Sequence, residues 1–197
     1  MKKRISKIIR KTNETNVGIQ LNLDGSGKFN IDTGIGFLDH MLELFSKQSL
    51  IDLKIEATGD LVTDEHHTVE DVAITLGRAL KEALGDKKGI ERYGSKLLPM
   101  DEALVECAVD LGGRSYLVWN ITFYREKIGD MSTELLEDFF KALSDNLSAN
   151  IHVNLRYGRN NHHIAEGMFK AFARAMRMAI KIDPAMKNSL PSTKGIL

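Results

Sequence analysis

The chain has 197 residues, 43% of them hydrophobic, and its 27 basic residues balance its 27 acidic residues. No run approaches the ~20 apolar residues of a membrane span, the first ten residues lack the apolar segment of an export signal, and no Lys/Arg cluster interleaved with aromatics favours binding to nucleic acid. We therefore expect a cytoplasmic protein with no membrane or nucleic-acid partner, long enough for one large core or two small fused ones.

The first half of the chain predicts two strands, a helix, a strand and a second helix. Extended runs at residues 5–10 and 17–23 precede a helical stretch at 36–46. Apolar residues then alternate from Ile51 to Ala57 with the period of two of a half-buried strand, and an amphipathic helix is predicted over 65–84. The sequence DGSGK at 24–28 lacks the spacing of a phosphate-binding loop and is predicted to be a hairpin turn.

The second half repeats this order. Strands are predicted at 104–111 and 116–123, a helix at 132–147 that opens with an N-cap region Ser-Thr-Glu, a strand from Ile151 to Tyr157, and a helix at 162–180. The single cysteine, Cys107, lies on an alternating strand and is expected to be an ordinary core residue.

This repetition predicts an α+β fold from an internal duplication. Arg78 matches Arg174 and Ala79 matches Ala175 at the same offset, 174 − 78 = 96 residues. Each half is expected to be a mostly antiparallel four-stranded sheet with two helices on one face. We place the two domains at residues 1–91 and 92–197.

The strongest functional signal is a duplicated His-His-x-x-Glu motif at the start of the two matched helices. Its glutamate shares a helix face with both histidines, whereas adjacent residues diverge by roughly 100° and suit two different metal ions. A single such pair more often caps a helix or packs in a core, but recurrence at the same phase favours a two-metal site. Without nearby cysteine, Mn, Fe, Co and Zn all remain open on ligand type alone. The predicted ligands are His66, His67, Glu70, His162, His163 and Glu166.

Several longer motifs resemble those of the imidazoleglycerol-phosphate dehydratase family. They are DTGIGFLDHML at 32–42, DEHHTVED at 64–71 and GRNNHHIAE at 158–166, supported by MDEAL at 100–104, GR at 113–114, FKAFARA at 169–175 and PSTKG at 191–195. The resemblance implies a lyase of histidine biosynthesis that converts imidazole glycerol phosphate to imidazole acetol phosphate and water. It also implies a fold like domain 2 of ribosomal protein S5, two Mn²⁺ ions per active site, and a cage of twenty-four subunits with active sites between neighbours.

The resemblance extends the set of metal ligands to the first helix of each half. It makes His40 a ligand, and the repeat counterpart of His40 is Asp138. Relatives carry histidine or an acidic residue at that position, so Asp138 is expected to ligate a hard cation through oxygen, directly or through water. His152, whose counterpart is Asp52, is a weaker candidate for a ligand or a structural group.

Further residues match the family's catalytic and substrate positions. Glu14 matches its acid/base, with Glu43 and Glu102 as alternatives. Arginine forks and a lysine charge suit a phosphate dianion, and Arg159 is a further candidate. The substrate contacts implied by the resemblance are Arg92, Arg114, Ser192, Thr193 and Lys194.

A two-metal site agrees with this dehydration. In imidazole glycerol phosphate, no adjacent carbonyl acidifies the C–H bond that must lose its proton, so the imidazole ring must accept the electrons of that bond. Binding the ring as an imidazolate between two cations would stabilise the resulting charge. Two alternatives stay open: an oligomer in which metal is only stored or structural, and a dimetal hydrolase of phosphate esters.

Overall fold

The computed structural model describes residues 3–186 and 189–196, and it confirms an α+β fold of two similar halves. The first half contains β1 (Ile5–Lys11), β2 (Thr15–Asn22), β3 (Phe29–Asp32), α1 (Gly36–Ser49), β4 (Asp52–Gly59) and α2 (His66–Leu84). Its sheet has the order β1-β2-β4-β3, and only the β3–β4 pair is parallel.

The second half has the same topology. It contains β5 (Tyr93–Met100), β6 (Ala103–Asp110), β7 (Tyr116–Asn120), β8 (Lys127–Ile128), β9 (Met131–Ser132), α3 (Leu135–Leu147), β10 (Asn150–Tyr157) and α4 (Asn161–Ala179), followed by a short 3₁₀ helix at Pro184–Met186. The sheet order is β5-β6-β10-β7 with β7 parallel to β10, and β8 and β9 form a small separate ribbon.

The helices lie between the two sheets. Helix α2 packs on β1, β2 and β4, and α4 packs on β5 and β6. Across the middle, α2 contacts α3 and α1 contacts α4, so each pair joins the two halves. Phe45 of α1 stacks on Phe172 of α4 at 5.4 Å between ring centroids, and Phe140 meets Phe172 edge-on at 5.2 Å. Burying side chains of this size stabilises the fold by roughly 1.5–3 kcal/mol each.

The hairpin predicted at residues 24–28 is wrong. Strands β2 and β3 flank β4 on opposite sides, so the turn carries the chain across the end of β4 instead of joining neighbours. The Asp52 carboxylate fixes the turn because it accepts hydrogen bonds from the backbone N–H groups of Ser26 (2.8 Å) and Lys28 (2.9 Å).

Four strands and one helix start also differ from expectation. Strands β8 and β9, of two residues each, had no prediction. Strands β3 and β5 had none either, since both are sheet edges whose exposed residues do not alternate, and β5 contains Pro99. Helix α3 begins only at Leu135, and its N-cap makes no side-chain hydrogen bond. The Thr133 hydroxyl donates instead to the Arg125 carbonyl oxygen at 2.8 Å.

Cys107 lies in the core, as expected. Within residues 3–186 and 189–196, no helix combines the length and the apolar character that crossing a membrane requires. Each four-stranded sheet lies on one side of residue 92, but the helices of both halves share one core. The division into domains at 91/92 stays a prediction.

The contact between α2 and α3 depends on the missing side chain of Gly77. A Cβ added there would lie 2.8 Å from the Asn146 Cβ and 3.0 Å from the Leu143 carbonyl oxygen. In an exposed helix Gly→Ala stabilises by about 1 kcal/mol, but here overpacking should cost about 1–3 kcal/mol. We expect Gly77→Ala to lower the free energy of unfolding, measured in urea. The control is Gly18→Ala, where the nearest atom is the Glu56 oxygen at 3.9 Å; an equal or higher stability of Gly77→Ala would contradict this packing.

Candidate active site

The starts of the helices meet along one edge of the molecule, around residues 124–134. The Asp130 carboxylate accepts from the backbone N–H groups of Gly36 (2.9 Å) and Phe37 (3.2 Å) at the start of α1. The Ser132 N–H donates to Glu65, which precedes α2, and the Tyr124 N–H donates to Asn161 in the first turn of α4. Both histidine motifs therefore lie on this edge.

Local capping sets the start of each motif. The Asn160 side-chain oxygen accepts from the N–H groups of His162 (3.0 Å) and His163 (3.5 Å), and an Asp64 oxygen accepts from the His66 N–H (2.8 Å). These caps satisfy N–H groups that have no partner within the helix. The histidine side chains consequently project from the first turn, at the positive end of the helix dipole.

Three predicted ligands come together in one cluster. His40 on α1, His162 and Glu166 on α4 offer ligand atoms that all lie within 4.8 Å of one another. The Glu166 Oε2 is 3.2 Å from the His162 Nε2 and 3.8 Å from the His40 Nε2. The α1–α4 contact produces this cluster, which no spacing within one helix could provide.

The cluster fits a metal ion. Ligand atoms bound at about 2.0–2.2 Å lie at most about 4.4 Å apart on a common ion, so only small movements are needed. Two imidazoles and a carboxylate are a borderline-to-hard donor set. Burial of Glu166 opposes ionisation and by itself would raise its pKa. The Lys170 ammonium, which contacts the Glu166 Oε1, outweighs this effect and holds the pKa below its ordinary value.

The second histidine of each motif faces a different carboxylate. His67 Nδ1 lies 3.1 Å and 3.2 Å from the two Asp60 oxygens, and His163 Nδ1 lies 2.7 Å from the Glu102 Oε2. The hydrogen bond from His163, with one from the Asn160 N–H, lowers the pKa of Glu102 to about 2. The same carboxylates raise the pKa of His67 and of His163.

Adjacent histidines diverge as expected for two different ions. The rings of His66 and His67 are 6.1 Å apart at 86°, and those of His162 and His163 are 6.3 Å apart at 88°.

Glu14 lies beside the first motif. It occupies the turn between β1 and β2, where its N–H is held by the Thr12 hydroxyl at 3.2 Å, and its carboxylate is 4.0 Å from the His67 Nδ1. Its side chain is 54% exposed. Of the alternative acids, Glu102 is occupied by its hydrogen bonds, and Glu43 lies half-buried on α1.

Other predicted ligands do not converge within one chain. Among the residues that the structure describes, His40, His162 and Glu166 form the single group of three candidate ligands. The rest of the predicted set is outside it, and His66, Glu70 and Asp138 are exposed.

His152 lies far from the motif that follows it. It is exposed on β10, whereas its neighbours Ile151 and Val153 are buried under the helices. Tyr157, where the strand ends before α4, is five residue steps further along β10, which is about 17 Å at the rise of a strand. Whether His152 is a ligand or a structural group stays a prediction.

The five predicted substrate residues line one cavity of about 770 Å³, although nothing in the chain order would bring them together. Its walls are the 92–93 and 112–114 segments and the C-terminal tail, and it includes Arg92, Arg114, Ser192, Thr193 and Lys194. Arg159 lines a different cavity of about 540 Å³, beside His162.

Arg92 holds the tail in place. Its Nε and Nη2 donate to the two Asp110 oxygens at 2.7 Å and 3.1 Å, and its Nη1 donates to the Pro191 carbonyl oxygen at 2.8 Å. The hydrogen bond to Asp110 raises the pKa of Arg92. Arg114 and Lys194 are exposed.

The tail cavity lies at the other end of the second sheet from the His163 motif. Tyr93 lines the cavity and begins β5, whereas Met100 ends that strand next to Glu102, which contacts His163. Seven residue steps along an antiparallel strand span about 24 Å. A small substrate cannot contact both regions of one chain.

Asp60 and Asp130 were not predicted from the sequence. Asp60 lies in a loop with no periodicity, and Asp130 reaches α1 across 94 positions. For Asp60, the only sequence signal is an acidic residue a few positions before a histidine pair, which is weak. For Asp130, a contact across 94 positions leaves no signal in the sequence.

Comparison with known proteins gives a consistent result. The family model described as imidazoleglycerol-phosphate dehydratase matches residues 33–176. The protein of that name from Granulibacter bethesdensis is 53% identical to this chain, over 96% of this chain and 97% of the relative. The one from Agrobacterium fabrum is also 53% identical, over the full length of both chains.

Solved structures agree. The crystal structure of imidazoleglycerol-phosphate dehydratase from Staphylococcus aureus aligns with a TM-score of 0.83 at 41% identity, covering 91% of this chain and 99% of that one. The structure from Pyrococcus furiosus aligns with a TM-score of 0.82 at 35% identity, covering 96% and 100%.

Proposed function

The chain belongs to the imidazoleglycerol-phosphate dehydratase family and is a lyase, and we propose that it dehydrates D-erythro-imidazole glycerol phosphate to imidazole acetol phosphate in the cytoplasm with two metal ions per active site. The observation that carries the two-metal part is the convergence of His40, His162 and Glu166, together with the second motif at 66–70 on the same edge. We propose Mn²⁺, with which this donor set is compatible.

The reaction defines what the site must do. A hydroxyl group and a C–H proton leave, and the imidazole ring must accept the electrons of that C–H bond. When bound, the metal ions supply Lewis-acid stabilisation of charge on the ring. The protein residues must orient the substrate, bind its phosphate and transfer the protons.

Glu14 is the proposed proton carrier. Its carboxylate faces His67 from 4.0 Å but accepts no hydrogen bond from it, and its exposure leaves it accessible to substrate. It would move a proton at the substrate carbon or at the departing hydroxyl.

The tail cavity is the proposed phosphate site. Arg114 and Lys194 present exposed cationic groups there, and the Ser192 and Thr193 hydroxyls can donate to phosphate oxygens. Arg92 already pairs with Asp110, so its first role would be to hold the tail against β6.

Neighbouring subunits would complete the site. In one chain the cavity is about 24 Å from the His163 motif. In the part of the chain that the structure describes, the exposed His66, Glu70 and Asp138 belong to no group of three candidate ligands. We propose that the chains form a homo-oligomer whose active sites lie between subunits, and that it has the twenty-four subunits that the family resemblance implies.

The direct test is incubation of the metal-loaded protein with imidazole glycerol phosphate. We expect the ketone product to form and inorganic phosphate to remain absent. Phosphate release without ketone would instead indicate a dimetal hydrolase, and bound metal with neither product would indicate a metal scaffold.

Metal removal should affect both activity and assembly. Because ligands from both halves, and in our proposal from two chains, converge on the same ions, a chelator should abolish turnover and reduce the size of the oligomer. Sizing chromatography with parallel assays, before and after adding Mn²⁺ back, measures this. A metal-free protein that retains full turnover and its original size would contradict the two-metal site.

Glu14→Gln tests the proton carrier. The change preserves size and removes the titrating proton, so turnover should fall by about 10²-fold or more while the metal content is unchanged. Glu56→Gln, an exposed change on β4, serves as the control and should leave turnover unaltered. Near wild-type turnover of the fully metallated Glu14→Gln variant would assign proton transfer to another group.

Asp138 tests the second metal shell. We expect Asp138→Ala to retain about one of two ions per subunit after dialysis, and Asp138→His to retain both and stay active. The control is Asp145→Ala on the same helix, because Asp145 pairs with Lys141 at the helix surface. Two ions held at wild-type affinity by Asp138→Ala would remove Asp138 from the ligand set.

A further inference from the structure

The turn between the first two strands of each half carries a glutamate. Glu14 lies between β1 and β2, and Glu102 lies between β5 and β6. Each faces the second histidine of the motif in its own half, so duplication places the two glutamates in equivalent positions. Their distances to that histidine differ, however: 4.0 Å for Glu14 and 2.7 Å for Glu102.

In the second half, hydrogen bonds occupy both oxygens of Glu102. The Oε2 contacts the His163 Nδ1, and the Oε1 accepts from the Asn160 N–H at 2.8 Å. The carboxylate thus joins the imidazole to the loop in front of α4. Each oxygen of Glu102 is thus already held by a hydrogen bond within the protein.

In the first half, Asp60 and not the turn glutamate contacts the Nδ1 of the second histidine. Its two oxygens lie 3.1 Å and 3.2 Å from the His67 Nδ1, closer than Glu14. The difference arises in the loops: six residues, 60–65, connect β4 to α2, whereas three, 158–160, connect β10 to α4. The longer loop provides a carboxylate, and the shorter one does not.

We propose that Asp60 and Glu102 are positioning residues, which hold the Nδ1 of His67 and of His163 and present the opposite ring nitrogen to a metal ion, and that Asp60 thereby leaves Glu14 free for proton transfer. This inference rests on the proposed two-metal function. A neutral imidazole whose Nδ1–H is donated to a carboxylate keeps its lone pair on Nε2 and a fixed ring orientation. The duplicated scaffold has therefore diverged, and equivalent glutamates have different tasks.

The two halves should respond differently to loss of the carboxylate. Asp60→Ala and Glu102→Ala should each weaken Mn²⁺ binding by about 10 to 100-fold, because the histidine loses its fixed orientation. Saturating Mn²⁺ should restore most turnover to Glu102→Ala. It should not restore kcat in Asp60→Ala, because Glu14 would then accept the hydrogen bond from His67 and be lost as a proton carrier.

The measurements are Mn²⁺ titration of the purified oligomer and kcat at saturating metal and substrate. Asp60→Asn, which keeps an accepting oxygen, should recover most of the metal affinity and kcat, and it also guards against a folding defect in the alanine variant. Glu56→Ala is the control for loss of a carboxylate remote from the motifs and should match the wild type.

The outcomes separate this inference from the function on which it rests. Wild-type metal affinity in both alanine variants would overturn the positioning role. Equal recovery of kcat in Asp60→Ala and Glu102→Ala at saturating Mn²⁺ would overturn the release of Glu14. A wild-type protein that fails to bind two ions would contradict the proposed function itself, and with it this inference.

Discussion

The packing of α1 on α4 and of α2 on α3 is the constraint on which the site depends. The stacking of Phe45 on Phe172 fixes how α1 of the first half lies on α4 of the second. Within the second half, Phe140 of α3 packs against Phe169 and Phe172 of α4. Because the sheets are on the outside, each helix has one face on its own sheet and another on a helix of the other half. The same packing brings His40 to Glu166 and aligns both motifs along one edge.

Duplication supplied the symmetric framework, and loop length supplied the asymmetry. Both halves keep the strand order, the parallel edge pair and the His-His-x-x-Glu helix start. They differ where a carboxylate approaches the second histidine: Asp60 comes from a long loop and Glu102 from a strand turn. The turn glutamates differ as well: Glu102 lies within hydrogen-bond distance of His163, whereas Glu14 lies 4.0 Å from His67.

Within one chain, the candidate metal ligands and the cationic cavity lie far apart. Candidate metal ligands lie at the helix starts, while the cationic cavity lies at the far end of β5, against the C-terminal tail. A site divided in this way makes oligomerisation part of the proposed chemistry instead of a source of stability alone. Arg92 holds the wall of this cavity together. It donates to both Asp110 oxygens and to the Pro191 carbonyl oxygen, and so fixes the tail against β6.

The sequence by itself determined the α+β duplication, the four helices, six of the strands and the family. Periodicity encodes burial of one face, and the motifs are local strings, so neither needs long-range information. It did not determine the edge strands β3 and β5, whose exposed residues carry no alternation, nor the path of residues 24–28 across β4, which depends on strand order.

Only the tertiary structure decided which carboxylate meets which histidine. Glu14 and Asp60 both precede the first motif, and their distances of 4.0 Å and 3.1 Å from His67 follow from how β1, β4 and α2 pack. The assembly of the cavity from residues 92–114 and the tail likewise depends on contacts across some eighty to one hundred positions, such as Arg92 with Pro191. Such contacts arise from packing geometry, which no local pattern of residues records.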